Sequence, residues 1–389
     1  MLQNQKELFG IPDGVHYLNC AYMSPLAEPV VEAGQKGLLR KTRPWEVTPQ
    51  DFFDEVEALK TAFAALLQPG VSPVPSNRIA ILPSVSYGFA TVMKNVEPQA
   101  GSKIVTVDEV FPSSYYTWKR LADDHGMAVQ VVKAPDSSGS RAQAWNQAIL
   151  EAIDEKTAVV SLPHIHWANG TRFMLEEIAA KARAVGAWLV VDGTQSVGVL
   201  PFDMKAVQPD ALICAGYKWL LGPYGMSLAW FGPRLDNGRP LEENWMHREG
   251  SENFAGLVNY QDQYKPGAAR YSMGETSSFI HIPMQLAAVR LLAGWGIENI
   301  QDYCSRLSSP FAAQLETMGC QLEAEAWRSA HILGVRLPES LDQDAFAEEL
   351  KKRKVFVSYR GSYLRISCHL FNDEQDFEEL LQAMGDCIG

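Results

Sequence analysis

The sequence has little of what marks disulfide-bonded, membrane-spanning or nucleic-acid-binding proteins. Its six cysteines form no C-x-x-C pair, which argues against a zinc knuckle or a redox dithiol. No apolar run approaches the roughly 20 residues that cross a bilayer. The first ten residues, MLQNQKELFG, lack the basic and apolar regions of a signal peptide. A formal net charge of -12 disfavours nucleic-acid and anionic-membrane partners, and we expect a cytoplasmic protein.

The usual nucleotide-binding motifs are also missing. A nicotinamide-dependent or nucleotide-binding α/β enzyme needs G-x-G-x-x-G or G-x-x-x-x-G-K-[ST] after its first strand. The nearest match, GTQSVG at 193–198, is followed by Val199 and Leu200 and has no phosphate-binding lysine. The sequence therefore disfavours this class of enzyme.

What the chain does have is an alternation of short apolar runs with helical patterns. The runs are continuous in Val, Ile and Leu, which is typical of strands buried on both faces. They are RIAIL (78–82), KIVTV (103–107), AVQVV (128–132), AVVSLP (158–163), AWLVVDG (187–193), ALICAG (211–216) and MSLAWFG (226–232). This order predicts an α/β fold with a mainly parallel seven-stranded sheet and helices on both faces.

The domain organisation follows from changes in composition along the 389 residues. The spacing of apolar residues predicts a helix over 54–67, and a Pro/Ser-rich loop follows at 69–77. Residues 234–273 are predicted to form loops. Beyond them, long helices and short strands near 331–337, 355–359 and 363–367, with a last helix at 373–384, predict a smaller α+β domain. We predict an N-terminal segment over 1–20 that packs with the small domain, a large domain over 21–273 and a small C-terminal domain over 274–389.

Three groups of polar residues follow predicted strands. Asp192 ends one apolar run, Lys218 lies 26 residues later, after the next run, and SVSYG at 84–88 opens a helix. Ligands of parallel α/β sheets bind at the carboxyl ends of the strands. We therefore expect a carboxylate, an amine and a helix N-terminus at one edge of the sheet.

This combination suits pyridoxal 5′-phosphate (PLP). A helix N-terminus binds the phosphate, a desolvated lysine reacts with the aldehyde, and a buried carboxylate keeps the pyridine nitrogen protonated. Each residue alone has an ordinary explanation: a helix cap for Asp192, a surface amine for Lys218 and an N-cap for Ser84. Their order and spacing together favour PLP.

The sequence resembles the class V aminotransferase family of fold type I PLP enzymes, which includes cysteine desulfurases, kynureninases and isopenicillin N epimerase-like proteins. The resemblance covers roughly residues 17–381 and is strongest in VDGTQSVG (191–198) and CAGYKWLLGPYG (214–225). It implies that Asp192 contacts the pyridine nitrogen and that Gln195 lies near the ring hydroxyl. It also implies that Lys218 forms the Schiff base and that Tyr217 contacts the phosphate.

The same resemblance places further residues around the cofactor. It puts Val85 and Ser86 on the phosphate, Phe111 over the pyridine ring and His166 near the ring hydroxyl. Phe111 could instead be an ordinary core residue. His166 could be a buried histidine or could pair with His164 on a metal, but the sequence offers no obvious third ligand, so we predict no metal site.

Residues for the substrate and for a second subunit come from two more segments. SYRGSYLRIS (358–367) resembles the family's carboxylate site, which assigns the α-carboxylate of an amino acid to Arg365, with Arg360 as a second candidate and a surface arginine as the alternative. Tyr22 and the segment 41–53 are candidates for the substrate pocket.

RYSMGETSS (270–278) resembles a segment that reaches the phosphate of a neighbouring subunit. Glu275 stands where Thr is expected, so Thr276 or Ser277 takes that role, and we expect a homodimer with its active sites at the interface.

The reaction is less well defined than the cofactor. A lysine released by the substrate can act as a base at Cα in transamination, epimerisation and elimination alike. Cysteine desulfuration is disfavoured because no cysteine lies between Arg360 and Leu364, while kynureninase-like hydrolysis has no residue to support it. We predict an aminotransferase, with an amino-acid epimerase or a C–S/C–C lyase as the alternatives. A non-catalytic PLP-binding protein is a more distant alternative, since no basic DNA-binding segment is present.

Overall fold

The structure is a computed structural model in which residues 2–68, 74–135 and 140–388 are described. The predicted loop at 69–77 lies outside the described residues over 69–73. The strands of the described residues are β1 (His16–Tyr17), β2 (Ile79–Leu82), β3 (Lys103–Val107), β4 (Ala128–Val132), β5 (Thr157–Pro163), β6 (Trp188–Asp192), β7 (Ala211–Ala215), β8 (Ser227–Phe231), β9 (Ile332–Val335), β10 (Val355–Phe356), β11 (Ser358–Arg360) and β12 (Tyr363–Ser367).

The helices alternate with the strands through most of the chain. They are α1 (Glu28–Arg40), α2 (Asp54–Leu67), α3 (Val85–Asn95), α4 (Pro112–His125), α5 (Arg141–Ala152), α6 (Leu175–Ala184), α7 (Met204–Val207), α8 (His281–Trp295), α9 (Ile297–Thr317), α10 (Gln343–Lys352) and α11 (Glu374–Gly385). Residues 234–273 contain short 3-10 turns and no longer element, as the composition predicts. No helix among the described residues combines the length and apolar character needed to cross a membrane.

The central sheet has seven strands in the order β2-β8-β7-β6-β5-β3-β4. All neighbouring pairs are parallel except the two that β8 makes with β2 and β7. This confirms the predicted, mainly parallel sheet. The expectation that every strand is buried on both faces is wrong for β4, whose side chains are mostly exposed or half-buried. Because β4 is an edge strand that pairs only with β3, solvent reaches it.

The two faces of this sheet belong to two separate apolar clusters. Along β6, Leu189 and Val191 pack into one cluster, and Trp188 and Val190 pack into the other. Successive side chains of a strand point to opposite faces, so this alternation shows helices and loops covering both sides. The result is the buried parallel sheet of an α/β fold.

The C-terminal part forms two smaller sheets. β11, β12 and β9 make an antiparallel sheet in that order, and β1 pairs in parallel with β10. The pairing of β1 with β10 joins the N-terminal segment to the C-terminal part of the chain. The exact domain boundaries at residues 20 and 273 stay predictions.

The reversed strand β8 contributes to the same edge of the sheet as the carboxyl ends of its neighbours. Ser227, at the amino end of β8, is opposite Leu82 at the carboxyl end of β2 and Ala215 at the carboxyl end of β7. The turn before β8 therefore meets the loops that follow β2 and β7. This edge is where a ligand of an α/β protein is expected.

Candidate active site

A cavity of about 340 Å³ opens at this edge of the sheet. Its volume falls within the range of small-molecule sites. The lining residues come from the loops after β2, β3, β5, β6 and β7 and from the turn before β8. They are Pro83, Ser84, Val85, Ser86, Phe111, Ser113, Pro163, Ile165, Trp167, Asp192, Thr194, Gln195, Ala215, Tyr217, Lys218, Tyr224, Gly225, Met226 and Ser227.

Lys218 lies in this cavity and is 7% exposed. Burial, together with the positive charge of Arg365, lowers the pKa of its amine to about 8, although Asp192 acts in the opposite direction. Its Nζ lies 5.6 Å from the centroid of the Phe111 ring. A lysine with a lowered pKa has a larger neutral fraction near pH 7, which is what attack on an aldehyde requires.

Asp192 ends β6 and faces the same cavity. Its Oδ1 accepts a hydrogen bond from the Thr194 backbone N–H at 2.9 Å, and the Thr194 hydroxyl accepts one from the Ala215 N–H at 3.2 Å. Burial raises the pKa of the Asp192 carboxyl, and the bonds from Thr194 oppose that change. This buried carboxylate is held by the turn after β6, where it can bind a protonated ring nitrogen.

The amino end of α3 forms the opposite part of the wall. Ser84 is the N-cap, and its Oγ accepts a hydrogen bond from the Tyr87 N–H at 3.2 Å and lies 2.9 Å from the Ser86 Oγ. The first N–H groups of a helix have no partner within the helix and bind anions. Val85 and Ser86 line the cavity, so this helix end can hold a phosphate.

Phe111 is the N-cap residue of α4 and remains 38% exposed. Its ring makes an edge-to-face contact with Trp167 at a centroid distance of 5.4 Å. Because so much of the ring is open to the cavity, the alternative of an ordinary core residue does not describe it. An amine, a carboxylate, a helix N-terminus and an open aromatic face thus fit the aldehyde, the ring nitrogen, the phosphate and the ring of PLP.

Gln195 is held in place by two internal hydrogen bonds. Its Nε2 donates to the Ala21 carbonyl at 3.1 Å, and its Oε1 accepts from the Trp219 indole at 2.7 Å. It is 3% exposed and lines the cavity beside Asp192. Tyr217 also lines the cavity, and burial raises its pKa.

His166 occupies a different place from the one that the sequence predicts. Its ring is fully buried against Trp145, its Nε2 lies 3.1 Å from the Asp108 carbonyl, and it is not among the residues that line the cavity. Ile165 and Trp167, its two neighbours, do face the cavity. Alternate residues of an extended segment point in opposite directions, so a role for His166 at the cofactor is not supported by its position.

Arg365 lies on β12 with 1% of its surface exposed. Its Nη1 donates to the Trp167 carbonyl at 2.8 Å, whereas its Nε and Nη2 have no hydrogen-bond partner among the described residues. Burial, followed by the charge of Arg360, lowers its pKa to about 9. A buried guanidinium edge without a partner is costly unless a ligand satisfies it, and a carboxylate does so with two parallel bonds.

The remaining predicted residues do not line the cavity. Tyr22 is 54% exposed and is not a lining residue. Thr276 is fully buried, its hydroxyl donates to the Met273 carbonyl, and it lies 3.1 Å from the His247 Nε2. Burial and these bonds leave the Thr276 hydroxyl unable to reach another subunit without a rearrangement. Glu275 is exposed and has a left-handed backbone.

Sequence reasoning missed several lining residues. Thr194 lies within the motif VDGTQSVG. Its backbone N–H donates to the Asp192 side chain two residues earlier, which is the hydrogen bond of a common Asx-turn. Trp167 follows His166, but the choice of which of the two faces the cavity depends on the tertiary structure. Ser227 could be predicted at the cavity only if β8 were known to be antiparallel to its neighbours, which brings its amino end to this edge of the sheet. Among the described residues, no group of three or more His, Cys, Asp or Glu side chains could hold a metal ion.

Comparisons with known proteins identify the family of this chain. The family described as Aminotransferase class-V matches residues 42–380. The uncharacterized aminotransferase YcbU of Bacillus subtilis is 26% identical over 369 residues, which are 93% of this chain and 91% of that protein. The isopenicillin N epimerase of Amycolatopsis lactamdurans is 23% identical over 406 residues, covering 98% and 97% of the two chains.

Solved structures show the same fold. A mutant of the protein C-DES, with glycine covalently linked to its PLP cofactor, has a TM-score of 0.85 at 20% identity and covers 98% of this chain and 99% of its own. A cysteine desulfurase from Thermococcus onnurineus has a TM-score of 0.82 at 18% identity, covering 100% and 99%. These likenesses confirm the predicted fold type I, and the predicted cofactor, PLP, is confirmed at the level of the family. The chain belongs to the class V aminotransferase family of PLP-dependent enzymes.

Proposed function

We propose that this chain is an aminotransferase in which Lys218 binds PLP covalently and moves the proton at the Cα of an amino-acid substrate. The observation that carries the proposal is the position of Lys218, buried in the cavity with a lowered pKa between Asp192 and Phe111. When bound, PLP supplies an electron sink that makes the Cα proton of an attached amino acid acidic.

Each neighbouring residue has a defined part in this proposal. Asp192 would bind the ring nitrogen, Phe111 would cover the ring, and Gln195 would lie at its hydroxyl. Val85 and Ser86, with Tyr217, would bind the phosphate. Arg365 would bind the α-carboxylate with its unpartnered Nε and Nη2, which fixes the orientation of the substrate at Cα.

The choice of transamination over epimerisation follows from the number of bases. Epimerisation in both directions needs a second group on the opposite side of Cα that accepts and releases a proton near neutral pH. Among the described residues, Lys218 is the only lining side chain with an amine or imidazole. Burial raises the pKa of Tyr217, and Tyr224 is 69% exposed. One base that removes and returns a proton on the same side suits transamination.

Cysteine desulfuration remains disfavoured in this proposal. That reaction uses a thiolate on a mobile loop, and all six cysteines are buried. None of them lines the cavity in the described part of the chain. Burial raises the pKa of the Cys20 thiol, which lowers its reactivity. The likeness to desulfurase structures concerns the fold, which hosts several reactions.

A homodimer with active sites at its interface is also part of the proposal. It rests on the resemblance of residues 270–278 to a segment that reaches the phosphate of a neighbouring subunit. Because Thr276 is buried, the partly exposed Ser277 is the better candidate for a contact with the partner's phosphate. A cytoplasmic location stays a prediction.

The experiment that tests the proposal measures products from a panel of L- and D-amino acids, with a 2-oxo acid as amino acceptor. We expect PLP to co-purify, and we expect at least one amino acid to yield its 2-oxo acid. Lys218→Ala should abolish this conversion, whereas Lys181→Ala, an exposed lysine on α6, should retain it. A racemate without oxo acid would indicate an epimerase, and release of sulfide or ammonia would indicate a lyase. Absence of an aldimine absorption band after addition of PLP and removal of the unbound cofactor would contradict the assignment of the cofactor.

A further inference from the structure

Two arginines beside the cavity have no carboxylate partner. Arg365 and Arg360 form no ion pair with an acidic side chain of the described residues. Arg365 is buried and Arg360 is half-buried, in a chain with a net charge of -12. Asp192 is the single acidic residue among the described residues that line the cavity, and it lies on β6, away from the hairpin that carries both arginines.

The hairpin of β11 and β12 places the two side chains on one face. Arg360 is opposite Tyr363, and Ser358 is opposite Arg365. Residues two apart on a strand share a face, so Arg360 and Arg365 are diagonal neighbours with Cβ atoms roughly 7–8 Å apart. Two like charges at this distance repel each other, and both act to lower the pKa of Lys218.

Trp167 contacts both arginines and also lines the cavity. Its carbonyl accepts the bond from Arg365, and the Cζ of Arg360 lies 5.6 Å from the centroid of its ring. The same ring contacts Phe111 and lines the cavity. Arg360 therefore reaches the cavity wall at a second point, separate from the unpartnered edge of Arg365. One of its N–H groups donates to the Tyr359 carbonyl at 2.6 Å, which leaves other N–H groups for a ligand.

The groups already assigned do not account for Arg360. The amino end of α3 provides a site for the phosphate, and Arg365 provides two donors for one carboxylate. A second cation remains, half-buried against the ring of Trp167. Its aromatic support and planar shape suit a carboxylate.

We propose that Arg360 binds a second carboxylate, so that the substrate class is dicarboxylic amino acids such as aspartate, glutamate and 2-aminoadipate. This inference rests on the proposed function, because it takes Arg365 as the site of the α-carboxylate. The aromatic ring of Trp167 separates the two anionic groups and contacts the carbon chain between them.

The first test measures binding without any reaction. Glutarate carries two carboxylates and no amine, and butyrate carries one. For the PLP-loaded protein we expect glutarate to raise the melting temperature more than butyrate at equal concentration. Arg360→Gln should remove this difference, and Arg360→Lys, which keeps the charge, should retain part of it. Arg120→Gln, which removes an exposed positive charge from α4, is the matched control and should behave as the wild type does.

The second test compares each acidic amino acid with its amide. We expect kcat/KM for glutamate or aspartate to exceed that for glutamine or asparagine. In Arg360→Gln this ratio should fall about 10- to 100-fold, as is typical when a charge-assisted hydrogen bond is lost. The chain length that gives the largest ratio would identify the substrate within the class.

The outcomes separate this inference from the proposed reaction. Equal rates for acids and amides in the wild type would overturn the dicarboxylate assignment and leave the aminotransferase standing. An equal loss for both substrates in Arg360→Gln would also overturn it, because it would place Arg360 at the α-carboxylate or in the fold. Selective glutarate binding without oxo acid from any amino acid would support the second carboxylate site and contradict transamination.

Discussion

At the scale of single residues, the environment of Lys218 determines when its amine can react. Burial and the charges of Arg365 and Arg360 favour the neutral form, and Asp192 favours the charged form. The first two effects prevail and bring the pKa to about 8 from 10.5. The neutral fraction therefore reaches one half near pH 8 instead of near pH 10.5.

We predict that PLP attaches to the cofactor-free protein with a rate that reaches half its maximum near pH 8. Arg365→Gln removes a nearby positive charge, so the midpoint should move to higher pH. Stopped-flow absorbance, with PLP in excess, measures this rate. Arg120→Gln is the control, because it also removes one positive charge but does so at an exposed position on α4. It should leave the midpoint unchanged. A midpoint near 10.5, or no displacement in Arg365→Gln, would contradict the role given to burial and to Arg365.

The residues of the site differ in how well the sequence predicts them. Asp192 and Lys218 were predictable because each directly follows a strongly apolar strand, and the parallel sheet brings such positions to one edge. The segment HIHW at 164–167 was harder. An extended segment of this kind points alternate side chains in opposite directions. Only the packing of His166 against Trp145 decides that Trp167 faces the cavity and His166 faces the core.

At the scale of secondary-structure elements, the position of Arg365 depends on a close contact between β9 and the loop after β5. Gly334 on β9 is opposite Arg365 on β12. A Cβ built on Gly334 would lie 2.2 Å from the Asn169 carbonyl oxygen and 2.5 Å from its Cα. The contact brings β12 near the Trp167 carbonyl, to which Arg365 donates. A glycine is therefore required where two backbones touch.

We predict that Gly334→Ala weakens substrate binding and lowers stability. The added methyl group would push the small sheet away from residue 169 and lengthen the bond between Arg365 and Trp167. KM for the best substrate should rise about tenfold or more, since a charge-assisted hydrogen bond contributes about 1.5–3 kcal/mol. Gly294→Ala on α8, where a Cβ meets nothing within 4 Å, is the control and should be neutral or more stable by up to about 1 kcal/mol. Unchanged KM in Gly334→Ala would show that this contact does not position Arg365.

The direction of a strand is an element-scale property that the apolar pattern does not contain. The run at 226–232 predicts β8 correctly, yet nothing in its composition shows that β8 lies antiparallel to β2 and β7. The short connection from Lys218 to Ser227 contains no helix, and a parallel crossover needs a dozen or more residues. That length was the available signal, and it would have placed Ser227 at the cavity.

At the scale of the whole molecule, buried histidines make the folded state sensitive to acid. Burial lowers the pKa of His164 and His369 to about 3 and the pKa of His166, His247 and His331 to about 4. Their ordinary pKa of about 6.5 returns when the chain unfolds. As the pH falls from 6.5 towards 4, the unfolded chain binds these protons and the folded protein does not. The free energy of unfolding therefore decreases over this window.

We predict that unfolding at pH 5.2 takes up about four to five protons per chain at these five histidines. Each histidine changes the free energy of unfolding by about 1.4 kcal/mol per pH unit wherever it is protonated in the unfolded chain and neutral in the folded protein. Asp192 and Asp210, whose pKa burial raises, act in the opposite direction but are fewer. Proton uptake on addition of guanidinium chloride, followed in a pH-stat, counts the protons even if unfolding is irreversible.

His369→Leu should take up about one proton fewer, because neither ring nitrogen of His369 has a partner among the described residues. His125→Gln, which replaces an exposed histidine at the end of α4, is the control and should match the wild type. An uptake near zero at pH 5.2 would mean that the buried rings are already charged in the folded protein.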